Sequence, residues 1–294
     1  MRRPLPIAAI IISLIFIALS TVLPLRKSTY VSLTSADIKS PVKPVIINYA
    51  NVDTRFIDGL AVYTYAAHRG APIAAKEPEN SLPAFKACKK LGFKIVEVDL
   101  QLTKDGQWIV FHDYILDRTS TGKGTVKSKT FKEITALKLK DSKSEVEAIP
   151  TLEELLSLCS SEGLIPILDI KPTEKEISEE GYNTLLMSLS KYNLLDKSIF
   201  TSPSKEVLAE LRRRNNVTTI AVMVEATQDN LDYIKGLGNA FLYTNHVNLT
   251  DEKINLVNRN NLKFAVWTIN DKKIAKRFLE KGAILVVTDD LLTE

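Results

Sequence analysis

The sequence predicts an α/β chain folded as a (β/α)8 barrel of the TIM type. An insertion follows the second strand, and an apolar N-terminal transmembrane or signal segment precedes the barrel. Three observations carry this. From Ala61 onward, short apolar runs alternate with amphipathic stretches, the pattern of a parallel sheet with crossover helices. The runs are Val62–His68, Phe93–Leu102, Trp108–His112, Ile165–Ile170, Ser198–Thr201, Thr218–Val224, Ala240–Tyr243, Lys263–Trp267 and Ile284–Thr288. Secondly, only Thr-Lys-Asp-Gly-Gln separates Leu102 from Trp108, with a tight-turn signal at Asp105-Gly106. A parallel crossover needs about a dozen residues. Trp108–His112 must therefore return antiparallel, which leaves eight parallel strands, the number that closes this barrel. Thirdly, no Gly-rich phosphate loop follows the first run, as a doubly wound open sheet would usually require.

The elements follow in order. Residues 1–27 read as a signal-anchor or a cleavable signal peptide. Leu5 to Leu25 carries no charge and is long enough to span a hydrocarbon core of roughly 30 Å. Arg2 and Arg3 precede it and favour placing the rest of the chain on the outer side, periplasmic or extracellular. No A-x-A-like cleavage site stands out, which favours the anchor. Residues 28–60 have no clear periodicity and read as a linker. The barrel is expected over 61–294, with the insertion at about 103–149. Beyond the hairpin the insertion is rich in Thr, Ser, Gly and Lys, with one helical patch near Phe131–Leu137. Further helices are expected at Leu82–Leu91, Leu152–Cys159, Lys205–Arg214 and Asp271–Lys281. Thr151 with Glu154 forms a capping box at the second of these.

Composition sets bounds. The chain is 45% hydrophobic and 25% charged, enough apolar material for a real core. A net charge of +4, without a Lys/Arg block, gives no support for nucleic acid as a partner. Cys88 and Cys159 form no C-x-x-C pair and so suggest no zinc site. They read as small buried hydrophobes, with a disulfide permitted if the domain is exported.

The chemistry gathers at strand ends. In such a barrel the C-terminal ends of the strands form the active face. His68 ends the first run, and the hairpin returns His112 to the level of Glu97 and Asp99. Glu97 and Asp99 stand two apart and share one face of their strand. Two acids on an inward face are costly unless paired or metal-bound. Asp169 ends the next barrel strand at the same mouth. Three carboxylates without cysteine suit one hard divalent cation, Ca²⁺ or Mg²⁺, with Mn²⁺ also fitting. Arg69 and Lys171 add cations, and the histidines supply acid and base groups. The set suits a phosphate ester, whose non-bridging oxygens the cations neutralise.

His68-Arg69-Gly70, Pro78-Glu79-Asn80-Ser81, Glu97-Val98-Asp99, His112-Asp113, Ile149-Pro150-Thr151-Leu152-Glu153-Glu154, Asp169-Ile170-Lys171, Val266-Trp267-Thr268-Ile269-Asn270 and Val287-Thr288-Asp289 stand in this order. This ordered set resembles the glycerophosphodiester phosphodiesterase family and covers about 61–290. The resemblance implies a (β/α)8 barrel with an insertion after its second strand. It also implies metal ligands at Glu97, Asp99 and Asp169, and a general acid and base in His68 and His112. Arg69 and Lys171 would hold the phosphate, with Asn80, Glu79 and Trp267 near the substrate. Asn80 reads equally as a helix N-cap, Glu79 has a similar dual reading, and Trp267 reads equally as barrel packing. The implied reaction is attack of the substrate's own glycerol hydroxyl on phosphorus. A cyclic phosphate then forms and is hydrolysed to sn-glycerol 3-phosphate. Asp169 departs from the family, which more often has Glu there; the reach is shorter by about 1.5 Å. The residues between Gly70 and Pro78 depart as well, and bear on substrate choice. His246 reads as a loop histidine. Two rivals remain: a lysophospholipase D or phospholipase-like enzyme on membrane lipid, held there by the N-terminal segment, and a non-catalytic phosphodiester-binding barrel.

Overall fold

A computed structural model describes residues 55–60, 64–141, 147–171 and 177–291. The apolar N-terminal segment and most of the expected linker lie outside the described residues. Among the described residues, no helix is long and apolar enough to cross a membrane.

Among the described residues, nine strands form one sheet: β1 (Tyr65–Ala67), β2 (Ile95–Leu102), β3 (Trp108–Val110), β4 (Ile165–Ile170), β5 (Ile199–Ser202), β6 (Thr219–Met223), β7 (Ala240–Asn245), β8 (Phe264–Trp267) and β9 (Leu285–Thr288). Eight are parallel and close into a barrel, because β1 pairs with both β9 and β2. β3 is the exception predicted by the short turn. It pairs antiparallel with β2 in the register Leu102↔Trp108 to Leu100↔Val110. Each expected run corresponds to one strand, with ends differing by a few residues.

Helices cover the outside of the barrel. α3 (Leu82–Lys90), α5 (Leu152–Glu162), α7 (Lys205–Arg214) and α10 (Lys272–Glu280) are the four expected from sequence. α6 (Glu179–Lys191), α8 (Gln228–Leu237) and α9 (Asp251–Arg259) pack beside them, and two short helices, α2 (Pro72–Ala75) and α4 (Phe131–Thr135), lie after β1 and in the insertion. Most begin at a capping side chain. Thr151 accepts from Glu154 N while the Glu154 side chain returns to Thr151 N, the capping box read from sequence. A short helix α1 (Arg55–Leu60) also appears where the sequence suggested only linker. Ile57 and Leu60 are buried there with Ala66, Ile95, Ile167, Ile199 and Phe241, so these last residues belong to the barrel's apolar interior. Removing two such side chains from water gives the segment a place to fold despite its length, too short for an isolated helix.

The insertion has a core of its own. Leu116, Val126, Ile134 and Leu139 pack with Ile109, Phe111 and Ile149. Its two ends meet: Val110 N donates to Pro150 O at 2.8 Å, and Ile109 bridges Thr151. Cys88 and Cys159 are free, buried thiols in the shell between barrel and helices.

Candidate active site

β1 ends at Ala67 and turns at once through His68, Arg69 and Gly70. Gly70 has φ +86°, and a Cβ there would lie 2.8 Å from Ala84 Cβ, so glycine is required where the turn presses on α3. The turn directs Arg69 N to Glu97 Oε2 at 3.0 Å. His68 Nε2 stands 4.0 Å from the same Glu97 oxygen.

β2 and β4 run in register, with Asp99 directly beside Asp169. Side-chain alternation then aims Glu97, Asp99 and Asp169 into the barrel mouth. One oxygen from each lies within 4.8 Å of the others, and all three residues are buried. Burial is the largest influence on Glu97 and, with the neighbouring Asp99 charge, pushes its carboxyl up to about 8. Burial and Asp99 also push Asp169 up, against the pull of Lys171. At Asp99 burial acts upward too, but Lys171, Arg69 and His112 outweigh it and hold the group below its ordinary range.

Lys171 follows β4, with Nζ 2.6 Å from Asp99 Oδ1 and 2.5 Å from Asp169 Oδ2. The two acids outweigh burial and keep its ammonium charged. Arg69 lies 2.9 Å from Glu79 and 3.4 Å from Asp99. A second oxygen of Asp169, Oδ1, is buried without a hydrogen-bond partner. Three oxygen ligands and an unsatisfied buried carboxylate oxygen fit a hard divalent cation, without distinguishing Ca²⁺ from Mg²⁺.

Both histidines are held alike. His68 Nδ1 meets Asp289 Oδ1 at 2.7 Å, and His112 Nδ1 meets Asp113 Oδ1 at 2.7 Å. An ionised carboxylate only accepts, so in each ring Nδ1 carries the proton and Nε2 is left to face a substrate. Burial pulls His68 toward the neutral form, yet the Asp289 hydrogen bond and the Glu97 charge win and raise its pKa. Asp289 is itself fixed by Asn270, whose Nδ2 donates to Oδ2 at 2.9 Å and whose Oδ1 accepts from Asp289 N at 2.8 Å. His112 reaches the mouth because the hairpin pairs past β3: Phe111 N donates to Asp99 O at 3.0 Å. The buried Gln101 amide on β2 then donates to the carbonyls of Phe111, His112 and Asp113, at 2.8, 3.0 and 2.8 Å.

The remaining expected residues divide. Asn80 is not the helix cap; Ser81 is, accepting from Ala84 N. Asn80 instead clasps Asp99, donating to Oδ2 at 2.7 Å and accepting from Asp99 N at 3.2 Å. Glu79 holds Arg69 and Arg118. Trp267 ends β8, packed on Tyr243 at 5.9 Å between ring centroids, with its indole Nε1 buried and without a hydrogen-bond partner. His246 lies in the turn after β7, its ring edge against Phe278. Asp113, Asp289, Asn270, Gln101 and Arg118 were missed as site residues. The His112-Asp113 adjacency and the Val287-Thr288-Asp289 motif held a signal for two of the carboxylates; Gln101 and Arg118 had none.

A closed barrel whose mouth gathers three acids, two cations and two carboxylate-held histidines defines a hydrolase of phosphoric diesters. Residues 68–293 match the model of the Glycerophosphoryl diester phosphodiesterase family. A Caldanaerobacter subterraneus protein named glycerophosphodiester phosphodiesterase is 29% identical over 76% of this chain and 93% of its own. A Bacillus subtilis protein of the same name is 30% identical over 76% of this chain and 82% of its own. The structure of an Oleispira antarctica phosphodiesterase in complex with the product sn-glycerol-3-phosphate superimposes with a TM-score of 0.71 at 26% identity, covering 77% of this chain and 92% of that one. The chain belongs to the glycerophosphoryl diester phosphodiesterase family.

Proposed function

We propose that the enzyme hydrolyses glycerophosphodiesters to sn-glycerol 3-phosphate and an alcohol, and that it depends on one divalent cation. The observation that carries this is the convergence of Glu97, Asp99 and Asp169 between two histidines whose Nδ1 atoms are both held by carboxylates. Glu97, Asp99 and Asp169 would hold the cation. When bound, it supplies positive charge against the phosphate oxygens. Arg69 and Lys171 are the protein's own cations for the same oxygens. His68 and His112 serve as the general acid and base through Nε2. One takes the proton of the attacking glycerol hydroxyl and the other gives a proton to the departing alcohol oxygen, which leaves a cyclic phosphate; water, activated by a histidine in the same way, then opens the ring to glycerol 3-phosphate. Trp267 forms an apolar wall for the glycerol or the leaving group. The N-terminal segment anchors the enzyme on the outer face of a membrane.

The test is release of glycerol 3-phosphate from glycerophosphocholine and glycerophosphoethanolamine by the full-length chain in detergent. It is run in EDTA and in Ca²⁺, Mg²⁺ or Mn²⁺, with His112→Ala alongside. Cation-dependent release that is abolished in His112→Ala supports the reading, and release in EDTA contradicts it. A second reading, action on lysophospholipid, draws support from Ile73, Tyr114 and Ile115. These large hydrophobics are exposed on the segments that directly follow His68–Gly70 and His112-Asp113. Choline release from lysophosphatidylcholine separates the two readings.

A further inference from the structure

The insertion contributes a side chain that the chemistry above does not use. Arg118 sits on the segment after His112, and its guanidinium meets two carboxylates at once. Nε and Nη2 donate to Asp113 Oδ2 and Oδ1 at 2.5 and 2.9 Å. Nη1 and Nη2 donate to Glu79 Oε2 and Oε1 at 2.9 and 2.7 Å. The acceptor atoms identify what this does. Asp113 Oδ1 is the atom that accepts the hydrogen bond from His112 Nδ1, and Glu79 Oε1 is the atom that accepts from Arg69 Nη1. Each carboxylate is thus shared between Arg118 and a site residue.

We propose that Arg118 is a positioning residue through which the insertion sets the orientation of His112 and of Arg69. The proposal rests on the catalytic reading of His112 given above.

A half-exposed ion pair is ordinarily worth little. Three features separate this one. Both contacts are bidentate, a geometry that fixes direction as well as distance. Asp113 and Glu79 come from different parts of the chain, so one guanidinium ties the hairpin to the turn ahead of α3. The base beneath Arg118 is rigid: Leu116 and Ser120, on either side of it, are buried. Ser120 Oγ donates to Leu116 O at 2.7 Å, and Thr121 N donates to Lys138 O at 2.8 Å. Gly122 packs so closely that a Cβ would lie 2.5 Å from Leu137 Cδ1. A side chain on such a base carries the insertion's fixed position into the site. Lysine cannot replace it, because an ammonium lacks the planar fork that binds two carboxylates in parallel.

The experiment compares full-length wild type, Arg118→Met, Arg118→Lys, Asp113→Asn, the double variant Asp113→Asn with Arg118→Met, and His112→Ala. Positioning partners of this kind are typically worth 10–100-fold in activity. Both Arg118 variants should therefore lose kcat by about 10–100-fold, with a smaller rise in KM. The double variant should lose less kcat than the product of the two single losses, because both act through His112 and only the contact to Arg69 through Glu79 is left for Arg118 to lose. Nitrogen NMR of the His112 ring should show a single Nδ1–H tautomer in wild type and a mixture in Arg118→Met. In a further variant, Arg118→Ala, which leaves room for it, added methylguanidinium should restore part of kcat, and it should restore none in Asp113→Asn. Wild-type kcat in Arg118→Met, beside an inactive His112→Ala, would overturn this inference alone. So would losses that multiply in the double variant. An active His112→Ala would remove the catalytic reading, and the inference with it.

Discussion

Replacing Lys171 with methionine tests how the mouth tolerates its three acids. The ammonium lies 2.6 Å from Asp99 Oδ1 and 2.5 Å from Asp169 Oδ2. Those residues are only 1% and 5% exposed, so neither carboxylate can turn to water instead. Removing one partner from a buried ion pair costs roughly 3–5 kcal/mol. The acids relieve part of this by taking up protons. The expected loss is therefore at the lower end, about 3 kcal/mol. In a domain of this size each kcal/mol moves Tm by roughly 2–4 °C, so Tm should fall by about 6–12 °C in EDTA. A divalent cation should recover much of that loss. Ligand binding to the folded state contributes about 2.7 kcal/mol at a hundred times Kd. The gain should be larger in the variant than in wild type, because the cation no longer faces the ammonium's charge. The assay is thermal unfolding of the full-length chain by circular dichroism, in EDTA and in Ca²⁺ or Mg²⁺, at one scan rate. A fall in Tm below about 3 °C in EDTA, or equal cation stabilisation of both proteins, would refute the reasoning.

Other expectations follow from the site and the shell around it. Asp289→Asn leaves Asn270 a partner but removes the acceptor that fixes His68; kcat should fall by about 10–100-fold with little change in KM, measured by steady-state kinetics. Arg118 is the main influence on Asp113 and, with His112, overcomes partial burial to hold its carboxyl at about 2. The stability it contributes is complete above the ordinary carboxylate range and is lost as pH falls through that value; carbon NMR of the side chain should show no midpoint near about 4. Burial pushes the Cys88 and Cys159 thiols up to about 12. Neither should react with a thiol reagent at neutral pH until the protein is unfolded, when both should titrate.

The barrel was legible because its strands are apolar runs bounded by turns, and because a five-residue gap after Leu102 cannot hold a crossover. That one constraint also placed His112 beside Glu97 and Asp99. The three acids could be read from strand alternation and strand ends alone. What escaped depended on contacts between distant segments. Helix α1 has only Phe56, Ile57 and Leu60 to mark it, and three apolar residues in so short a stretch make no period. Asn80 stands where a cap is expected, yet the next residue takes that task. Arg118 lies in a stretch of Thr, Ser, Gly and Lys, and nothing in its neighbourhood says that the chain folds back to Glu79. Gln101 looks like any polar residue of a strand until the hairpin presents it with three carbonyls.

The meeting of the insertion's two ends has a consequence for how this enzyme can change. Val110 and Pro150 are joined by a backbone hydrogen bond, so the forty residues or so between them leave and return through a single neck. Closure entropy grows only slowly with loop length. Beyond His112 and Asp113 the segment can lengthen, shorten or be exchanged while those two residues, β2 and its acids stay where the barrel and the hairpin put them. Selection on the leaving alcohol could then act on one cassette, provided each new version still offers Asp113 and Glu79 a partner in place of Arg118.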